Sequence, residues 1–310
     1  MLKQAKIFVL DDPIGSGKPS WSKDQGIRNF FEETFGDRSD LVTVSSKFAE
    51  KKQILVSHNP VKIKESIMSL GDLVPDSPLI TVYGHGGYHH HTYGFTALAL
   101  EKIKPIGEVG YVHFDNHNDL GILEPHNYLG CGSFVLKLCK DRGMTPFLIG
   151  QYFNKTVTDI FKNAKYVVQN NSYKGEYRIL PSGRLPKKFV NELSPNLYLS
   201  FDLDLLSDTQ INTGYNQGIV TLPQLLTMVK QISKKHNIIS ADILGFTREN
   251  VYYGHETEYY DAKSLLCYSI LTAQLKGINQ NKINEALNMH QKNKYLKIKD
   301  SIKITKNMLI

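Results

Sequence analysis

Two stretches of the chain place metal-binding side chains at the ends of apolar runs. In Val112-His113-Phe114-Asp115-Asn116-His117-Asn118-Asp119, the run from Val109 to Phe114 ends in Asp115, His117 and Asp119. In Leu197-Tyr198-Leu199-Ser200-Phe201, the run ends in Asp202-Leu203-Asp204. Side chains alternate faces along an extended segment, so Asp115, His117 and Asp119 are expected to point to one side of a strand end. Buried carboxylates are costly unless compensated. A pair of divalent metal ions would supply that compensation. Mixed imidazole and carboxylate donors suit manganese, iron or zinc better than calcium. Two such ions held close together lower the pKa of a shared water and clamp the transition state of a hydrolysis.

A third polar stretch follows the run Leu79 to Tyr83 and reads Gly84-His85-Gly86-Gly87-Tyr88-His89-His90-His91-Thr92. Strand-like runs at residues 6–10, 79–83, 110–114, 146–149, 166–168, 197–203 and 238–244 alternate with amphipathic segments. Helices are expected near residues 25–35, 61–70, 95–102, 133–141, 157–163, 222–234 and 260–275. This alternation predicts a three-layer α/β fold, a mostly parallel sheet with helices on both faces. In such sheets ligands bind beyond the C-terminal strand ends, where the three polar stretches would converge. The Gly/Pro/Lys-containing stretch from Ser172 to Lys188 reads as a loop. With no internal repeat and no low-complexity linker, the chain reads as one domain over residues 1–280. A mobile, lysine-rich C-terminal extension is expected over residues 281–310.

Together the three stretches resemble the motifs of the arginase/agmatinase (ureohydrolase) superfamily. Gly86-Gly87-Tyr88-His89-His90-His91-Thr92 resembles its Gly-Gly-Asp-His-Ser-x-Thr motif. Asp115-Asn116-His117-Asn118-Asp119 resembles Asp-Ala-His-x-Asp, and Ser200-Phe201-Asp202-Leu203-Asp204 resembles Ser-x-Asp-x-Asp, in the same order. The resemblance implies an arginase/deacetylase-like fold and two Mn²⁺ ions sharing a hydroxide nucleophile, with Zn²⁺ or Fe²⁺ as alternatives. Carried over by position, His89 and Asp119 would bind one ion, His117 and Asp204 would bind the other, and Asp115 and Asp202 would bridge them. The implied reaction is hydrolysis of a C–N bond in an amidino or amide compound. His85, His90 and His91 read as polar loop residues. Two other readings stay open: a single-zinc, deacetylase-like amidohydrolase, and a metal-binding relative without turnover.

The departures from the pattern bear on the substrate. Tyr88 stands where the family has Asp, and Asn116 where it has Ala. The family's Asp-Pro after the Asp-x-Asp motif is absent, the chain reading Leu205-Leu206-Ser207-Asp208. In Ala241-Asp242-Ile243-Leu244-Gly245-Phe246, Gly245 occupies the place of the Glu that holds the substrate guanidinium. Glu249 or Glu256 would have to substitute from the segment that follows. Cys131-Gly132 maps near the family's proton-shuttling His-Gly, which leaves His126 as the nearest candidate for a catalytic general acid. A poor arginase is expected.

Composition narrows the classes further. The net charge is +7, but residues after Lys276 carry seven lysines against Glu285 and Asp300, so most of the excess lies in the tail. No aromatic-interleaved basic patch argues for nucleic acid. The three cysteines form no Cys-x-x-Cys pair, which fits a reducing cytoplasm. No apolar run approaches the roughly 18–20 residues of a membrane span. Gly15-Ser16-Gly17-Lys18 lacks the upstream Gly of a phosphate loop and is followed by Pro19. The expected protein is cytoplasmic, homo-oligomeric and acts on a small molecule.

Overall fold

A computed structural model describes residues 1–10, 27–36, 39–45, 57–74, 76–84, 86–120, 128–151, 182–211, 216–245, 255–293 and 296–309, with short pieces at 48, 51–52, 54, 167–169, 177–178 and 213. His85, His126, Glu249, the stretch Gly15 to Lys18 and the expected helix at 157–163 lie outside these residues, as does the side chain of Glu256.

Nine strands form one sheet among the described residues: β1 (Lys6–Leu10), β2 (Leu41–Val44), β3 (Leu79–Val82), β4 (Val109–Phe114), β5 (Thr145–Gln151), β6 (Val167–Gln169), β7 (Tyr177–Arg178), β8 (Asn196–Asp202) and β9 (Asn237–Leu244). Their spatial order is β2-β1-β3-β9-β8-β4-β5-β6-β7, and every pair is parallel. The chain steps from β3 to β4 across a gap that β8 and β9 later fill. The centre of the sheet is therefore β3-β9-β8-β4, the strands whose ends carry the polar stretches. The strand β7 falls inside the stretch expected to be loop, and β2 was not anticipated.

Helices α1 (Ile27–Phe35), α2 (Pro60–Met68), α3 (Thr92–Ile103), α4 (Phe134–Arg142), α5 (Lys187–Glu192), α6 (Leu222–Ser233), α7 (His255–Lys276), α8 (Gln280–Lys292) and α9 (Ile298–Leu309) cover the sheet. Local chemistry sets several ends. Asn59 caps α2 through bonds from Val61 N and Lys62 N, with Pro60 in the first turn. Thr221 and Gln224 form a capping box on α6. No helix among the described residues is long and apolar enough to cross a membrane.

The two faces of the sheet are chemically different. Ile7 and Val9, Ile80 and Val82, Val112 and Phe114, Leu197, Leu199 and Phe201, and Ala241 and Ile243 pack with α1 and α5–α9 in one apolar cluster. The opposite face packs against α2, α3 and α4. There the central strands carry buried polar side chains: Thr81 on β3, His113 on β4, Ser200 on β8 and Asp242 on β9. Period-two alternation sorts the residues this way.

The lysine-rich tail, expected to be mobile, is packed. Residues 262–275 of α7 are buried on all sides. One side faces the sheet and another is covered by α8 and α9, whose Ile283, Ala286, Ile298, Ile304 and Met308 join the main cluster. His290 of α8 lies with Nε2 3.1 Å from the Cys267 thiol, both fully buried. Burial lowers this imidazole to about 3. The described lysines of the tail, Lys282, Lys292, Lys297, Lys299, Lys303 and Lys306, stay outward because the apolar positions of each helix form one stripe. Replacing Ile283 with Ala should cost about 2–5 kcal/mol in denaturant unfolding. The folded variant should keep its full metal content. Metal loss from a folded Ile283→Ala chain would show that α8 supports the site as well as the core.

Candidate metal centre

The three polar stretches meet at the C-terminal ends of β3, β4 and β8. After β3 the chain turns through a 3₁₀ helix, residues 86–91, which buries His89 under α3. After Phe114 the chain bends instead of continuing as a strand. His117 N donates to Asp115 Oδ1 at 2.6 Å and Leu120 N to Asn118 Oδ1 at 2.8 Å. Asp119 takes a left-handed backbone with φ 50°, which Asp tolerates better than most residues. Asp115, His117 and Asp119 therefore converge through a turn, not through the strand alternation expected from their spacing. After β8, Asp202 Oδ1 accepts from Asp204 N at 3.0 Å and starts a second 3₁₀ turn.

Two groups of donor atoms result. His89 Nδ1 lies 3.0 Å from Asp115 Oδ2 and 3.3 Å from Asp119 Oδ2. His113 Nε2 lies 3.2 and 3.6 Å from the same two oxygens. The second group joins His117 Nδ1 to Asp115 Oδ1 at 3.4 Å and to Asp204 Oδ2 at 2.8 Å. Within each group all donor atoms lie within 4.8 Å of one another. Asp115 belongs to both and turns one oxygen toward each. Asp202 stands beside the first group, its Oδ2 3.6 Å from His89 Nδ1, without joining either tight set. All six residues expected as ligands are thus brought together, and His113 is added to them.

His90 and His91 turn away. His90 Nε2 bonds Ser57 O, His91 Nδ1 bonds Tyr88 O, and His90 stacks on His58. Neither joins a donor group.

The donors are oriented from behind. His89 Nε2 lies 2.9 Å from Ser200 Oγ, and Ser200 Oγ donates to Asp242 Oδ1 at 2.5 Å. Tyr198 donates to the other Asp242 oxygen at 2.8 Å. Such outer partners fix the tautomer and aim of a ligating imidazole. Phe134 closes over His89 with ring centroids 4.7 Å apart.

With this geometry in place, the chain can be set beside known proteins. No family model matches it. Over 184 residues, 59% of this chain, it is 28% identical to an uncharacterised protein of Thermotoga maritima, and the match spans 64% of that protein's length. Proclavaminate amidino hydrolase from Streptomyces clavuligerus superposes with a TM-score of 0.56 at 12% identity, over 88% of this chain and 92% of that one. Arginase from Medicago truncatula gives 0.54 at 16% identity, over 88% and 86%. Arginase from Bacillus subtilis gives 0.54 at 15% identity, over 88% and 99%. The chain has the arginase/agmatinase fold.

On that fold, two positions differ physically from the expected pattern. Gly245 has φ 97°, a conformation that disfavours any side chain. A β-carbon there would collide with Asp202 Oδ1 and would sit 2.6 Å from Leu203 N. Glycine at this position is built in. Cys131 lies at the site, where the charges of Asp119, His89 and Asp202 act on its thiol. Burial and then Asp119 raise it, so it stays protonated at neutral pH.

The electrostatics fit divalent cations. Burial and then the charge of Asp115 raise Asp119, raise Asp202 to about 7 and raise Asp204 well above the carboxylate range. Asp115 itself stays low despite burial, because His113, His117 and His89 surround it. Bonds to Asp115 and Asp204 push His117 up to about 12. His89 is also raised, the two carboxylates beside it outweighing burial. Without cations the cluster neutralises itself with protons. His89 Nδ1 and His113 Nε2 are nonetheless buried without a well-directed hydrogen bond. Donor set, burial and orphaned nitrogens all fit divalent ions.

Two predictions follow from these contacts. Ions must displace protons from the raised carboxyls and imidazoles, so affinity should climb as pH rises through about 7. Calorimetry in buffers of different ionisation heat should show protons released on loading. A pH-independent affinity with no proton release would contradict this charge distribution. Ser200→Ala, which removes the partner of His89 Nε2, should weaken metal binding roughly 10–100-fold, as read by competition with a chromophoric chelator.

Proposed function

We propose that the protein is a metal-dependent hydrolase of a C–N bond in a small amidino or amide compound, working with two divalent ions. One observation carries this reading. Asp115 offers one carboxylate oxygen to each of two donor groups at the C-terminal edge of the central strands. When bound, two such ions acidify a water held between them and stabilise charge that develops on the group attacked. His89 and Asp119 would hold one ion, His117 and Asp204 the other, and Asp115 would serve both, with Asp202 beside the first group as the remaining candidate for a shared ligand. Ser200 and Asp242 keep His89 aimed, and Phe134 excludes water from behind it. His126, in the segment between Asp119 and Cys131, is assigned the proton for the leaving nitrogen. Manganese is the proposed metal.

The names of the structural relatives point to amidino substrates, among them proclavaminate amidino hydrolase. For this chain we place the substrate outside the free guanidinium cations. A guanidinium facing Gly245 would have no carboxylate to pair with, and losing a buried charge partner costs about 3–5 kcal/mol. Cys131 stands near the place of the family's proton-shuttling His, and where His126 does not replace it in position, losing such a general acid costs roughly a hundredfold or more in rate.

Elemental analysis after loading should give about two ions per chain, and Asp115→Ala should release both. A single zinc ion would favour the deacetylase-like reading. Urea release from arginine or agmatine should be several orders of magnitude below that of an efficient arginase, roughly the product of the two losses above. Gly245→Glu should not restore it, since a side chain there strikes Asp202. Efficient urea production by the unaltered chain would show that a carboxylate from another segment, such as Glu249 or Glu256, reaches the substrate.

A further inference from the structure

We propose that His113 is itself a ligand of the first ion, giving it two imidazole nitrogens, His89 Nδ1 and His113 Nε2, beside Asp115 and Asp119. The inference rests on the binuclear reading above and goes beyond the ligand set that the sequence motifs imply, which gives each ion one histidine.

Strand geometry places the residue. His113 lies on β4, on the polar face of the sheet, and Asp115 follows two positions on, just past the strand's end. Its side chain is fully buried, and its ring lies nearly parallel to His89 with centroids 4.9 Å apart. Nδ1 is 3.1 Å from the Tyr111 hydroxyl. With a proton on Nδ1, donated to that hydroxyl, the Nε2 lone pair would face Asp115 and Asp119 and be free to meet a cation between them. Nε2 is buried without a well-directed hydrogen bond.

The distances have the right size for one coordination sphere. Nitrogen and carboxylate ligands at about 2.0–2.2 Å from an ion lie roughly 3.0–3.5 Å from their neighbours in tetrahedral or octahedral geometry. The four edges linking His89 and His113 to Asp115 and Asp119 measure 3.0, 3.3, 3.2 and 3.6 Å. Asp202 falls outside this tight set. The two metal positions are then unequal. The first has two imidazoles and two carboxylates; the second has His117 with Asp115 and Asp204. Greater nitrogen content shifts the first position toward zinc, iron or cobalt over manganese.

The test is X-ray absorption on the full chain loaded with one equivalent of Zn²⁺. Two imidazoles on the bound ion are expected. With two equivalents, three imidazoles shared between two ions are expected. His113→Gln keeps an amide that can donate to Asp115 but ligates poorly. It should reduce the first count to one imidazole and weaken the first ion by more than about tenfold. Two loaded ions with one imidazole each would overturn the proposal and leave the binuclear reading intact. A folded His113→Gln chain with unchanged imidazole count and affinity would do the same. A wild-type chain that takes up no metal would overturn both. The wild-type spectrum decides the matter even if the variant does not fold.

Discussion

The arrangement depends on one constraint: four aspartates, Asp115, Asp119, Asp202 and Asp204, are buried at one rim, and the charge of Asp115 opposes charge on the other three. Asp115 is the pivot. Its pKa stays low because three imidazoles surround it, while burial, and then the charge of Asp115, raises the other three carboxyls. Protons can balance the cluster, and divalent ions would balance it better, since each would neutralise two charges and meet the orphaned nitrogens. Residues that seem remote from metal chemistry serve this constraint. Ser200 and Asp242 hold His89, Tyr111 holds His113, and Asn116 N donates to Asp204 at 3.1 Å, tying the two aspartate turns together.

Such a cluster needs a rigid frame, and the sheet order supplies it. Because β8 and β9 are inserted between β3 and β4, the ends of all four strands face one rim although they come from distant parts of the chain. The frame is stabilised mainly from the opposite face. There α7 is buried on all sides, between the sheet and the two C-terminal helices. Lys276, at the end of α7, reaches Asp40 at 2.6 Å and the Ala5 carbonyl at 2.6 Å, which ties that layer to the starts of β2 and β1. The apolar face carries stability, so the polar face is free to carry buried charge.

Much of this was legible in the sequence. Central strands buried on both faces read as apolar runs, and carboxylates at their ends stood out because burial there demands compensation. Five of the six expected residues fall in the two donor groups, and Asp202 stands beside the first. His113 was not legible as a donor, because it lies inside an apparently apolar strand and its role depends on which strand faces it. The alternation of Tyr111, His113 and Asp115 was the signal available. The turn at Asp115–Asp119 was also missed: alternating donors fit a strand, and only bonds such as His117 N to Asp115 Oδ1 bend the chain. The tail misled because its lysines dominate composition, while the apolar stripe of Ile283, Ala286, Ile298 and Ile304 is spread thinly over two helices.

Tyr88 and Asn116 depart from the resembled motifs without removing a donor, whereas the departures at Gly245 and Cys131 fall beside the donor groups. Every donor in the two groups is present and aimed, whereas the two substrate-side positions have changed in ways their surroundings enforce. At Gly245 the backbone enters the left-handed region against Asp202, so reversion to glutamate is blocked by one of the expected ligands themselves. At Cys131, burial and a nearby carboxylate favour the neutral thiol over a thiolate, so the residue adds no charge to a rim already crowded with carboxylates. Gly245 leaves no carboxylate at its position for a cationic group. Under the proposed hydrolase reading, a substrate that is neutral or anionic at its reacting end suits such a rim, since metal ions, and not a glutamate, would supply the orienting charge.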